Sequence, residues 1–202
     1  MVALAFGWAI VASLRAVGLG FPSGPAISDA WLLRLTMTEL LAGAATFALL
    51  RFRGYAVLRM LPVPNLRETF WGLALFVLAG GFSLLVVGSF SREEIAQQPI
   101  VSMVEHAHVT LPILLVTAIL NGVFEETFLL AYLQRAFHKH GASLAIGVSL
   151  LVRMLYHVYQ GPLGVMEVLV FGAVLSVFYW RTGRLWPVVF AHVLADVVSL
   201  CG

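Results

Sequence analysis

The sequence predicts an all-α membrane protein, a polytopic bundle of about seven transmembrane helices within a single domain, 1–202. Of its 202 residues, 61% are hydrophobic and only 11% are charged, whereas a soluble globular protein carries about 25% charged residues. Apolar runs close to the ~20 residues that cross a bilayer recur along the chain. The formal net charge of +2 is too small to indicate nucleic-acid binding. We therefore expect a multi-pass protein surrounded by lipid.

Proline- and glycine-rich breakers divide the apolar runs into spans. Pro22-Ser23-Gly24-Pro25 follows the first, Pro62-Val63-Pro64-Asn65 precedes the third, and Gly161-Pro162 follows the fifth. The first span lacks the basic segment and the small-residue cleavage site of a signal peptide, so we expect it to be retained. Cys201 is the single cysteine, which excludes an intramolecular disulfide. The predicted spans are 2–20, 31–50, 69–90, 109–136, 142–160, 163–181 and 185–200.

The basic residues predict the orientation of the bundle. They are concentrated in the connections after spans two, four and six, whereas the connection after span three holds Arg92 beside acidic residues. Because cytoplasmic loops are rich in lysine and arginine, we expect a cytoplasmic N-terminus. The polar segment 91–108 is expected to form a short amphipathic helix on the outer surface. The basic residues are Arg51, Arg53, Arg59, Arg67, Arg135, Lys139, Arg181 and Arg184.

Two adjacent carboxylates, Glu125 and Glu126, stand in the middle of the fourth span. One charge at the centre of a membrane helix costs about 2.5–3.5 kcal/mol on insertion scales, so two are hard to explain as packing. On a helix they point about 100° apart, which predicts two different roles. Taken alone, the pair is also compatible with a proton relay or an ion site.

Other charges in the spans predict ion pairs. Arg15 and Glu39 lie at similar depths on neighbouring spans, and we expect them to pair. Arg153 and Glu167 flank the 160–162 turn almost symmetrically, which predicts a second pair across that turn. The alternative is that Arg153 faces the two adjacent carboxylates of the fourth span.

Two histidines complete a candidate site. His157 lies four residues after Arg153 on one helix face, and His192 lies four residues before Asp196 on another. A single buried histidine is more often a hydrogen-bonded core residue than a catalyst, and His192 with Asp196 is explained equally well as a local hydrogen bond within one helix. Two carboxylates, two histidines and an aspartate on three spans of one small bundle instead favour chemistry. The remaining histidines, in connections, are expected to be solvated: His106, His108, His138 and His140.

This set of residues indicates hydrolysis by activated water. Cys201 is terminal, and no serine belongs to a motif with histidine and aspartate. A carboxylate and an imidazole can deprotonate a water molecule between them, and imidazole N–H groups can stabilise an oxyanion. We favour a site without a metal. The sequence leaves open a zinc ion held by Glu125, His157 and His192, although the spacing is not H-E-x-x-H.

Three motifs in this order resemble a known family. They are Glu125-Glu126-Thr127-Phe128-Leu129-Leu130, Arg153-Met154-Leu155-Tyr156-His157 and His192-Val193-Leu194-Ala195-Asp196. They resemble E-E-x-x-x-R, F-x-x-x-H and H-x-x-x-(N/D) of the CAAX-protease and bacteriocin-processing (CPBP) intramembrane endopeptidases, which include the type II CAAX prenyl proteases. The resemblance covers roughly 105–200, which would hold the catalytic core.

The resemblance implies a role for each residue. Glu125 would be the general base, acting with His157 on the attacking water, and Glu126 would orient the site or hold a structural charge. His192, oriented by Asp196, would stabilise the oxyanion. Two positions depart from the motifs, because Leu130 replaces the arginine and Arg153 replaces the phenylalanine. We hypothesise that Arg153 supplies the missing cation from the adjacent span.

One geometric condition follows from these assignments. In a straight bundle, the helical rise would separate His157 from Glu125 by about 15–20 Å. The site therefore requires the segment 159–164 to be sunk into the bundle beside a wet cavity, with protein covering its irregular backbone. The resemblance implies a membrane-anchored or lipidated protein or peptide as substrate and the cytoplasmic membrane of a prokaryote as location. The alternatives are a non-catalytic membrane partner, such as an immunity protein, and a small proton-coupled transporter.

Overall fold

The computed structural model describes residues 1–21 and 26–201, so the predicted breaker at 22–25 lies outside the described residues. Within these ranges the chain is helical. Three single-turn 3₁₀ segments, at Val57–Met60, His138–His140 and Val158–Gln160, lie in connections. The α-helices are α1 (Val2–Gly18), α2 (Asp29–Phe52), α3 (Leu66–Val87), α4 (Arg92–Ala96), α5 (Pro99–Glu105), α6 (Leu111–Glu126), α7 (Ala142–His157), α8 (Pro162–Thr182) and α9 (Trp186–Cys201).

The seven predicted apolar segments all form helices, with ends within three residues of the expected ones. Five are long and apolar enough to cross a membrane: α2, α3, α7 with its 3₁₀ turn, α8, and α6 with its continuation to Gln134. Helices α1 and α9 have 17 and 16 residues, or about 25 Å of helix each. The predicted polytopic bundle is confirmed. The polar segment forms two short helices, α4 and α5, instead of one.

Polar residues inside and apolar residues outside identify the surface as one that faces lipid. Leu41 and Leu84 are 68% and 75% exposed, and many other large apolar side chains of α2 and α3 are equally open. Glutamates, an arginine and a histidine are instead buried between the helices. A soluble protein rarely exposes apolar surface on this scale, so the chain is a multi-pass integral membrane protein.

Helices α2 and α6 pack side by side and run in the same direction. The hydroxyl groups of Thr36 and Thr117 lie 3.0 Å apart, and the ring of Phe47 packs on that of Phe128. Near the helix starts, the Asp29 carboxylate accepts a hydrogen bond from the Thr110 N–H at 2.8 Å. Helices α2 and α6 are the second and fourth predicted spans. Their parallel packing agrees with the prediction that successive spans cross the membrane in opposite directions.

The helical ladder of α6 widens directly after Glu126. Residues Thr127–Gln134 form π-helical turns, and the chain continues through them without leaving the bundle. Such turns shift the register of the following side chains and occur often at functional sites. The widening begins next to the paired carboxylates, so it sets the direction in which the second half of this span leaves them.

The turn between α7 and α8 is sunk below the short helix α5. The Tyr159 N–H donates to the Ser13 hydroxyl on α1 at 3.0 Å, and the Leu163 N–H donates to the Gln98 side chain at 3.1 Å. Protein therefore covers the irregular backbone, as the predicted site requires.

Gly161 is essential to this turn. Its φ of +88° and ψ of 169° suit glycine almost exclusively, and an added Cβ would lie 2.6 Å from the Pro99 Cδ. We expect Gly161→Ala to lower the free energy of unfolding by about 2 kcal/mol or more, measured by thermal denaturation in detergent. Gly147→Ala is the matched control, because its Cβ meets nothing within 4 Å in mid-helix. Equal stability of the two variants would contradict this account.

The predicted pair of Arg15 and Glu39 does not form. Arg15 is exposed, whereas Glu39 is buried on the side of α2 that faces the bundle. Similar depth does not fix the direction of a side chain around its helix, which is the reason for the error. Within the described residues, Glu39 Oε2 has no hydrogen-bond partner.

Candidate active site

Helices α6, α7 and α9 bring the predicted residues together at one buried centre. Arg153 of α7 lies between the two carboxylates of α6, with its Nη2 2.7 Å from Glu126 Oε1 and its Nη1 3.4 Å from Glu125 Oε2. The alternative prediction, that Arg153 faces the two carboxylates of the fourth span, is confirmed. The predicted ion pair between Arg153 and Glu167 is wrong. Glu167 is exposed, and Arg153 is paired with the α6 carboxylates instead. A cation therefore lies beside the two carboxylates, as expected if Arg153 replaces the motif arginine that is absent at Leu130.

Gly172 of α8 provides the space for the guanidinium group. An added Cβ at Gly172 would lie 2.8 Å from Arg153 Cδ and 2.9 Å from Arg153 Nε. Arg153 is almost fully buried, so its side chain has no room to move aside. The position of the Arg153 guanidinium therefore depends on Gly172 of α8, although the carboxylates that it contacts belong to α6.

Glu126 is the fully buried member of the pair. It is 0% exposed, and its Oε1 accepts from Arg153 and from the His192 Nδ1, the latter at 2.6 Å. Both donors lie at charge-assisted hydrogen-bond distances. Glu126 thus links α6 to α7 and α9, and it does not line the cavity that Glu125 faces.

Glu125 points into the cavity and has a different set of partners. The Tyr156 hydroxyl donates to its Oε2 at 2.5 Å, which is within the range of a strong bond to a carboxylate. The Tyr156 ring stacks on Phe6 of α1, with centroids 5.0 Å apart and planes 9° apart. One oxygen of Glu125 is therefore held in place while the residue remains at the cavity wall.

His192 is held at both ring nitrogens. Its Nδ1 faces a carboxylate oxygen of Glu126, so this nitrogen must carry a proton and donate it. Its Nε2 lies 3.9 Å from Glu125 Oε2 and 3.5 Å from Asp196 Oδ1. Asn121 donates to Asp196 Oδ2 at 2.9 Å. The chain of contacts fixes the direction in which the His192 Nε2 faces the cavity.

His157 lies at the last turn of α7, and it lines the same cavity as Glu125. Its Nδ1 donates to the backbone carbonyl of Arg153 at 2.9 Å, which leaves Nε2 as the basic nitrogen of the neutral ring. Two residues of the same turn, Arg153 and Tyr156, reach Glu125 directly, and His157 reaches the same cavity. The predicted condition of a sunken 159–164 segment is met.

The cavity has a volume of about 1310 Å³. It extends from the centre, with Glu125, His157 and His192, to Gln98 of the segment before α5 and to α1 and α2. Most of its wall is apolar. A small-molecule site typically has 300–1,000 Å³, so this space is large enough for a longer ligand.

The donor atoms also allow a test of the predicted zinc site. Among the described residues, Glu125, Glu126 and His192 place ligand atoms within 4.8 Å of one another, and His157 is not part of that group. The predicted ligand set of Glu125, His157 and His192 is therefore not gathered. A guanidinium group already lies between the two carboxylates, and its positive charge would oppose a divalent cation there. The residues fit a metal poorly.

Three residues at the site were not predicted to belong to it. Tyr156 and Asn121 each stand inside or beside a motif, where their neutral side chains gave no signal of chemistry. Glu39 was assigned to an ion pair, yet it lines the cavity. The histidines His106, His108, His138 and His140 are exposed in connections, as predicted.

Residues 107–198 match the model of a protein family described as type II CAAX prenyl endopeptidase Rce1-like. This part of the chain is CAAX-protease-like. The resemblance predicted from the three motifs is thus confirmed, and the match supports a CAAX-type intramembrane protease at the level of the family. No curated protein and no solved structure matches the chain.

The CAAX-protease-like region includes α6, α7, α8 and most of α9. All five residues predicted to act in catalysis lie inside it. Phe6 and Glu39, which line the cavity from α1 and α2, lie outside it. The cavity is therefore built by the matched region together with helices that the match does not include.

Proposed function

We propose that the protein is an intramembrane endopeptidase in which Glu125 activates water for attack on a peptide bond. The observation that carries this proposal is the Glu125 carboxylate, fixed by Tyr156 at the wall of a large cavity and facing His192 Nε2 at 3.9 Å. A base and a proton-bearing ring on the same side of a cavity suit addition of water to a carbonyl group.

The proposed reaction conserves protons at each step. Glu125, with the basic Nε2 of His157, removes a proton from water while the water oxygen bonds to the scissile carbonyl carbon. His192, protonated at both ring nitrogens between the Glu126 and Asp196 carboxylates, donates a hydrogen bond from its Nε2 to the oxyanion. Collapse of the tetrahedral intermediate breaks the C–N bond, and the proton held by Glu125 passes to the leaving amine.

The proposed substrate is a peptide whose C-terminal segment is membrane-embedded or lipidated. Apolar residues of α1, α2 and α5 line the cavity, which suits an apolar or lipid-bearing chain beside an extended peptide. Such a substrate reaches the site from within the bilayer. The proposed location is the cytoplasmic membrane of a prokaryote, with the N-terminus in the cytoplasm.

We expect chelation to leave the activity unchanged, because Arg153 provides the positive charge at the carboxylates. The measurement is cleavage of membrane-tail peptides by the purified protein, before and after treatment with a chelator, followed by mass spectrometry. Loss of cleavage that zinc restores would replace this mechanism with a metal-dependent one. No cleavage of any tail peptide would favour an immunity protein or a proton-coupled transporter.

Tyr156→Phe is expected to lower kcat/KM by about 10- to 100-fold, the effect of losing one hydrogen bond to a charged group. The ring and its stacking on Phe6 are retained, so thermal stability should change little. Tyr159→Phe is the control, because the Tyr159 hydroxyl contacts the Gln160 amide and no carboxylate. Equal activity of the two variants would show that the Tyr156 hydroxyl does not position Glu125.

A further inference from the structure

Glu39 is a buried carboxylate that faces the cavity without a partner. It is 4% exposed, and its Oε2 has no hydrogen-bond partner within the described residues. It lies on α2, outside the CAAX-protease-like region. A carboxyl group at such a depth loses its hydration and usually pairs with another group. The cavity that Glu39 lines is the place from which a ligand can supply such a partner.

The neighbours of Glu39 on α2 do not need such a partner. Thr36, one turn earlier, shares a hydrogen bond with Thr117, and Thr46 donates to the backbone carbonyl of Ala42. Gly43, one turn later, lies against the Phe124 ring. The polar side chains that serve packing between α2 and α6 are thus satisfied, whereas Glu39 is not.

The charges of the cavity wall favour a cationic ligand. Among the described residues that line it, four are acidic and two are arginines. One arginine, Arg153, is already bound by Glu125 and Glu126, and the other, Arg15, is exposed. An acidic wall in a cavity of low dielectric constant attracts positive charge and repels anions.

We propose that Glu39 forms a subsite for a basic side chain, lysine or arginine, of the peptide substrate. The carboxylate would accept charge-assisted hydrogen bonds from the ammonium or guanidinium group. This subsite rests on the proposed function, since it selects among peptides at the same cavity. Glu39 would contribute specificity from a helix that the CAAX-protease-like region does not include.

The test uses membrane-tail peptides that carry one lysine at each position in turn, and the same peptides with norleucine instead. Binding is measured by fluorescence anisotropy to Glu125→Gln, which should not cleave them, with and without Glu39→Gln. We expect Glu39→Gln to weaken binding of the preferred lysine peptide by about 30-fold, as for removal of one partner of a buried charge pair. The norleucine peptide should bind equally to both.

Glu167→Gln is the matched control, because it removes the same charge from an exposed position on the same cavity wall. An equal loss in this control, an equal loss for norleucine, or no preference for lysine would overturn the subsite. If Glu39→Gln does not fold, Glu39→Asp is measured instead, and an unchanged lysine preference there overturns it. Lysine-selective binding without cleavage by the wild type would overturn the proposed peptidase and keep the subsite.

Discussion

Glu125→Gln is expected to lower kcat/KM for peptide cleavage by about 10³-fold, within the range that general-base catalysis contributes. The amide keeps the shape of the side chain and can still accept the hydrogen bond from Tyr156, but it cannot take a proton from water. Because Arg153 retains its shorter contact with Glu126, the fold should be preserved. Cleavage of tail peptides and thermal unfolding in detergent are the two measurements.

Glu126→Gln provides the contrast for this result. It removes the charge that binds both Arg153 and His192, so stability as well as activity should fall. If Glu125→Gln proves to be the less stable of the two, the roles assigned to the two carboxylates are reversed. Full activity of Glu125→Gln would end the proposal that it is the base.

Arg153→Met is expected to lower the free energy of unfolding by about 3–5 kcal/mol, because it leaves two buried carboxylates without their cation. Activity should be lost in the same variant. The measurement is unfolding by denaturant in detergent, together with the cleavage assay. A variant with full stability and activity would contradict the idea that Arg153 replaces the cation absent at Leu130.

Two further variants separate charge from geometry at this position. Arg153→Lys keeps the charge but loses the fork that reaches both carboxylates, so we expect intermediate stability and low activity. The double variant Arg153→Met with Glu126→Gln removes both members of the closest pair. It should recover part of the stability and none of the activity, because the orientation of His192 is lost in both cases.

The spans could be predicted from the sequence because each long apolar run has only one stable state in lipid, a helix. The site residues could be predicted because charges in such runs are too unfavourable to be incidental. The directions of side chains around helices could not, as Arg15 and Glu39 demonstrate. The contact of Arg153 with Glu125 and Glu126 depends on the sunken turn and on the space left by Gly172, and both are products of packing between distant segments. Tyr156 and Asn121 gave no signal because neutral side chains are common in membrane helices.

The pairing of Arg153 with Glu125 and Glu126 also bears on how the chain enters the membrane. The two carboxylates on α6 and the arginine on α7 belong to consecutive helices, joined by the short connection 135–141. Each charge would cost about 2.5–3.5 kcal/mol if its helix entered lipid alone. Entry of α6 and α7 together, as a hairpin, lets the charges neutralise one another during biogenesis. The ion pairs of the candidate site would thus begin to form when α6 and α7 enter, and packing of α8 at Gly172 would complete them.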